Sequence, residues 1–161
     1  MSLINHRRRS DRWHGASQKV GQSAAPLFLD RIDIQCPITP VPFKDISKAA
    51  QGEPSAEIRK RVIRAREIQA ERFSGQKGIH CNAQMSERMI HQYAEPDEAG
   101  ISMLRMAMER LSLSARAYNR ILKVARTIAD LEGCEHVESH HLAEAIGYRT
   151  LDRGDWAERG I

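Results

Sequence analysis

The sequence predicts an all-α fold, a compact helical bundle preceded by a short extended strand arm and a disordered tail, on three observations. Apolar residues recur at three- and four-residue spacing through most of the chain beyond residue 53. Helix-starting residues (Pro54, Asn82, Pro96, Ser114, Ser139) and helix-stopping glycines (Gly75, Gly133) divide that stretch into short pieces. Ahead of it only one segment has strand character, and a lone strand has no sheet to join. The length of 161 residues suits one small domain.

Residues 1–24 mix Arg, Ser, Gly and Gln without an apolar period, and are expected to form a disordered basic tail, because they cannot bury enough surface to offset the entropy of ordering. Residues 25–53 read as an extended segment. Leu27, Phe28, Leu29, Ile32, Ile34, Ile38 and Val41 are dense and partly alternating, Pro37, Pro40 and Pro42 break any long element, and one short strand is expected over 32–38.

A helical domain is expected over 54–153. Its first helix, 54–74, begins at Pro54 and Ser55, sets Ile58, Val62, Ala65, Ile68 and Phe73 along one stripe, and stops at Gly75. A short helix over 83–93 has Asn82 as its expected cap. Pro96, Asp97 and Glu98 open a helix over 97–111, their acidic groups complementing its positive end, with Ile101, Leu104, Met108 and Leu111 on one face. Ser114 caps the next, whose stripe of Tyr118, Ile121, Leu122, Ala125, Ile128 and Ala129 is the strongest in the chain and ends near Gly133. Ser139 opens the last helix, through Leu142, Ala145 and Ile146 to about Arg149, and residues 154–161 form a frayed C-terminus.

The 25 Lys and Arg exceed the 21 Asp and Glu by four. Arg7, Arg8, Arg9, Arg12 and Lys19 against Asp11 place that whole surplus in the first 22 residues, so the basic isoelectric point describes a tail and not a basic domain. The helix over 54–74 is the one basic patch beyond it. Three cysteines at irregular spacing suggest neither a disulfide framework nor a paired-cysteine zinc site, and point to a reducing cytoplasm. No run approaches the ~18 apolar residues of a membrane span.

Few residues invite chemistry. The G-x-x-x-x-G-K-[ST] phosphate loop is absent, as is an apolar strand ending in paired carboxylates for magnesium, so the chain alone is not expected to hydrolyse ATP. Cys134, His136, His140 and His141 lie close together, but a cap at Ser139 puts His136 outside the helix and the other two histidines in its first turn, so no metal site is expected. Met103, Met106 and Met108 flank an apolar stripe and read as core filling. Arg116 breaks a local rule: it stands two residues past the Ser114 cap, where the helix's positive end disfavours a cation. Either it reaches an acidic neighbour or it answers a bound anion. Arg31, in Leu29-Asp30-Arg31-Ile32-Asp33, is either ion-paired with a flanking aspartate or offered to a partner's phosphate.

The run LSARAYNRILKVARTIADLEGCEHVESHHLAEAIGYRTLDR, with Thr127-Ile128-Ala129-Asp130-Leu131 at its centre, resembles the C-terminal helical lid domain of magnesium-chelatase-like AAA+ ATPases of the ComM/YifB type. The preceding NAQMSERMIHQYAEPDEAGISMLRMAMERL is similar to the same domain, and PLFLDRIDIQCPITPVPF resembles the end of the ATPase core. The resemblance implies that Arg31 is an arginine finger reaching the γ-phosphate held by a neighbouring subunit. It implies that Arg116 is the sensor 2 residue coupling the lid to nucleotide state. It also implies ATP and Mg²⁺ as cofactors of full-length relatives, AAA+ subunits in a ring as partners, and a link to DNA uptake and recombination. The missing phosphate loop leads us to expect a C-terminal fragment or truncated relative that binds no cofactor by itself. Two alternatives stand beside it. One is a free helical module binding nucleic acid through Arg7, Arg8, Arg9 and Arg12 of the tail and Arg59, Lys60 and Arg64 of the basic helix. The other is an inactive remnant whose uncovered apolar surface self-associates.

Overall fold

In a computed structural model, which describes residues 31–36, 38 and 52–149, the helical periodicity resolves into five α-helices. They are α1 (Ser55–Arg72), α2 (Glu87–Tyr93), α3 (Glu98–Leu111), α4 (Ala115–Glu132) and α5 (Ser139–Gly147), with a 3₁₀ turn at Asn82–Gln84 between α1 and α2. The tail with Arg7, Arg8, Arg9 and Arg12, and the segment 154–161, lie outside the described residues.

Helix α4 is the axis against which α1, α2, α5 and the 3₁₀ turn pack. Both its ends are fixed locally. Ser114 Oγ accepts the Ala117 amide at 3.1 Å, and Gly133 at φ +77° turns the chain into the left-handed region so that the Cys134 amide reaches back to the Ala129 carbonyl at 2.8 Å. Between them Ile121, Leu122, Ala125, Ile128 and Ala129 are buried and meet Leu142 and Ala145 of α5, Ile90 of α2 and Leu104 of α3. Residues such as Ile121, Leu122 and Leu142, each almost fully removed from water, contribute about 1.5–3 kcal/mol apiece to the hydrophobic drive. Helix α3 lies on α5, where Gly100 allows the contact: a Cβ there would stand 2.6 Å from Leu142 and 2.7 Å from Pro96.

Three local expectations are corrected. No strand forms among residues 31–36 and 38, because the hydrogen-bonding groups of this arm go to arginine side chains and to the end of α5, with no second strand beside it among the described residues. Asn82 does not cap α2; Ser86 does, accepting the Met89 amide, while Asn82 is buried and committed to side chains of α1 and α4. Ser139 is not the cap of α5 either. Glu138 takes that position, and its amide donates to His141 Nδ1 at 2.9 Å, the imidazole standing where a glutamate normally closes a capping box. The apolar stripe of α1 is only half used: Ala65 and Phe73 are buried, whereas Ile58 and Val62 remain 43% and 46% exposed.

Candidate functional site

Helix α4 carries arginines near both ends, and their surroundings differ. At its start, Arg116 occupies the first turn, exposed, with no acidic residue in that turn. One turn further along the same face, Arg120 donates through Nη1 to the Arg31 carbonyl at 2.7 Å and pairs with the Asp33 carboxylate. The Arg149 guanidinium, buried beside the end of α5, donates to the Ile32 carbonyl, and the Gln35 amide donates to the Tyr148 carbonyl at 3.0 Å. Arg31 itself is exposed. Asp33, one of the two aspartates expected as its partner, is engaged by Arg120 instead. The two candidate arginines are therefore joined through Arg120: the helix that presents Arg116 also holds the main chain of Arg31.

At the other end of α4 the charges are buried. Asp130 accepts hydrogen bonds from Arg72 of α1 at 2.7 Å, from Asn82 at 2.7 Å, from Gln69 at 3.2 Å and from Arg126 Nε at 3.1 Å. Arg126 also donates to the carbonyls of Cys134 at 2.6 Å and Glu135 at 2.7 Å, closing the loop after Gly133. Burial alone would raise the Asp130 pKa, but the Arg72 and Asn82 hydrogen bonds and the Arg126 charge outweigh it and hold the carboxyl below its ordinary value. Both oxygens of this carboxylate accept from protein donors, so the knot holds the fold and offers nothing to a ligand.

Glu132, His140 and His141 form the one group of potential metal donors among the described residues, a set different from the one suggested by spacing. The Glu132 carboxylate lies 3.0 Å from His140 Nε2 and 3.2 Å from His141 Nε2. A hydrogen bond with Glu132 raises the His140 pKa, and the same contact lowers that of Glu132. His141 is poorly suited to a cation. Its Nδ1 lone pair accepts the Glu138 amide, so the neutral ring carries its proton on Nε2, the nitrogen that faces Glu132. The cluster reads as a clasp between the end of α4 and the start of α5.

On α1, Arg59, Lys60 and Arg64 are all exposed. Lys60 pairs with Glu57 at 2.8 Å, and the Arg64 guanidinium lies over Gly133, 3.3 Å from where a Cβ would stand, at the negative end of α4. Two of the three basic groups are thus already engaged within the fold. All three cysteines are free thiols, and among the described residues no helix is long and apolar enough to cross a membrane.

Residues 52–149 match the family model described as magnesium chelatase, subunit ChlI C-terminal. Over 127 residues, covering 78% of this chain and 24% of the relative, the sequence is 40% identical to competence protein ComM of Haemophilus influenzae. It is similar to the YifB proteins of Salmonella typhimurium, at 42% identity, and Escherichia coli, at 38%, over the same shares of each chain. The chain thus spans about a quarter of the length of these relatives.

Proposed function

The chain belongs to the magnesium chelatase subunit ChlI C-terminal family and has ComM as a homologue, and from that premise we propose that it works as the nucleotide-responsive helical lid of a cytoplasmic, ComM-like AAA+ ring. In this reading it contributes Arg31 to a phosphate held by an adjacent subunit and Arg116 to sensing nucleotide state, and hydrolyses nothing alone. The observation that carries the reading is the pairing of two exposed arginines on one rigid support: Arg116 at the positive end of α4, and Arg31 on an arm whose main chain α4 and the end of α5 hold. A permanently charged planar guanidinium suits the charge that develops on a transferred phosphoryl group.

ATP and Mg²⁺ fit this chain only in part. Arg116, with the amides at the start of α4, is chemically suited to a phosphate, whereas the sequence lacks the apolar strand ending in paired carboxylates that would hold the metal, which other parts of the ring would supply. The bound nucleotide would supply the phosphoryl group; Arg31 would stabilise its transfer and Arg116 would register its loss.

A full-length relative whose own finger arginine is replaced provides the test. Mixed with this chain, it should regain ATP hydrolysis, and a chain with Arg31→Ala should not restore it. Absence of any Arg31-dependent recovery refutes the trans-acting role.

The ring's substrate is proposed to be DNA, in keeping with the competence role that the name of the Haemophilus relative states. Arg59, Lys60 and Arg64 of α1, together with the tail arginines, are the contacts this reading assigns. Binding should weaken steeply with salt and depend on residues 1–22.

A further inference from the structure

Among the described residues, polar contacts hold the arm that carries Arg31. Ile34 and Ile38 are 51% and 88% exposed, and Ile34 borders a cavity of about 300 Å³ lined also by Val124, Ile128 and Leu131 of α4. Three main-chain groups attach the arm instead: the Arg31 carbonyl to Arg120, the Ile32 carbonyl to Arg149 and the Gln35 amide to the Tyr148 carbonyl. Among the described residues Arg120 grips the arm at Arg31 itself, and it does so twice, through the carbonyl of that residue and the carboxylate of Asp33 two positions on. Both contacts are charge-assisted, and Nη1 of the guanidinium donates to both acceptors at once.

We propose that Arg120 is a positioning residue, a latch that makes the main chain of Arg31 move with the first turns of α4 and so couples Arg31 to Arg116. Arg116 and Arg120 are four residues apart, about 6 Å along the helix axis and on one face. A displacement of α4 imposed by an anion at Arg116 is carried to Arg31 by one side chain, without a change in the buried knot at the other end of the helix. The coupling rests on the reading of Arg31 and Arg116 given above; the latch itself does not.

The Gln35 amide reports on the latch, because Gln35 is buried and its hydrogen bond to Tyr148 exists only while the arm is seated. In the full chain, hydrogen exchange followed by NMR should show Arg120→Ala accelerating exchange at Gln35 by about tenfold, with the amides of Leu122 and Ala125 inside α4 little changed. Asp33→Asn, altered on the arm and not on the helix, should give a smaller acceleration of the same kind, and Arg120→Lys should recover part of the protection. Unchanged exchange at Gln35 in Arg120→Ala overturns the latch. In the mixed ATPase assay, Arg120→Ala should lower the recovered kcat while leaving KM for ATP in place. Full recovery by an Arg120→Ala chain with a loosened Gln35 overturns the coupling. Recovery that survives Arg31→Ala removes the reading beneath the coupling, whereas the latch is judged by Gln35 alone.

Discussion

The two ends of α4 place the same residue types in opposite surroundings. Near its end, Arg126 and Asp130 form an i,i+4 pair whose side chains are 2% and 0% exposed, joined by Arg72, Asn82 and Gln69. Near its start, Arg120 and Asp33 form a pair whose side chains are 26% and 49% exposed, beside two arginines that face solvent. Burial decides the difference. A carboxylate deprived of water must have all its acceptor sites filled by the protein, which fixes structure and leaves no capacity for a ligand. An arginine at the surface stays within reach of a phosphate that a partner brings.

The sharpest way to break this comparison is at Asp130. Asp130→Ala leaves Arg72 and Arg126 without their counter-charge in a dry site, and a loss of about 3–5 kcal/mol in urea unfolding is expected. The pH dependence follows with a definite sign. The folded pKa of Asp130 lies below its ordinary value, so the stabilisation is complete above about pH 4 and is lost as pH falls through the folded value. Asp130→Asn should flatten the acid limb of the stability profile. A variant as stable as the parent, with an unchanged acid limb, would remove the buried knot from the account of the fold.

Gly133→Ala comes next. The left-handed φ of +77° at the end of α4 costs an L-residue about 1 kcal/mol, and the added Cβ presses on the Arg64 guanidinium, so a lower melting temperature is expected. Arg120→Ala, in a partly solvated pair, should cost about 1 kcal/mol or less in global unfolding, while its local effect at Gln35 is the larger one. Arg116→Ala should change stability by less than about 0.5 kcal/mol and yet abolish any nucleotide response of the lid. A large loss of stability from Arg116→Ala would place that residue with the structural group at the far end of the helix.

The elements most legible in the sequence were those specified by their neighbours. Ser114 and Gly133 bracket α4, and Asp97 opens α3 by accepting the Gly100 amide at 2.8 Å; each acts across no more than four residues. What escaped notice acts over distance. Asn82 meets Asp130 across 48 residues and Arg120 meets Asp33 across 87, separations for which a single sequence carries no periodic signal. The arm was misread because Ile32, Ile34 and Ile38 have strand-like spacing, whereas Arg120, Arg149 and Tyr148 take the backbone groups that a strand would offer to a neighbour. The last helix was misread at its cap because an imidazole performs the role that pattern reasoning reserves for glutamate. Physics alone singled out Arg116, as a cation at the wrong end of a helix, and family resemblance alone singled out Arg31, which nothing local distinguishes from an ordinary surface arginine; the roles given to both are proposals.

Side-by-side titration of a finger-less full-length relative with the parent chain and with Arg31→Ala tests the central claim most directly. The parent should raise ATP hydrolysis to a plateau as it enters mixed rings, and Arg31→Ala, with equal stability and equal Gln35 protection, should leave the rate at baseline. Equal curves for the two chains, whether both rising or both flat, would contradict a trans-acting role for Arg31.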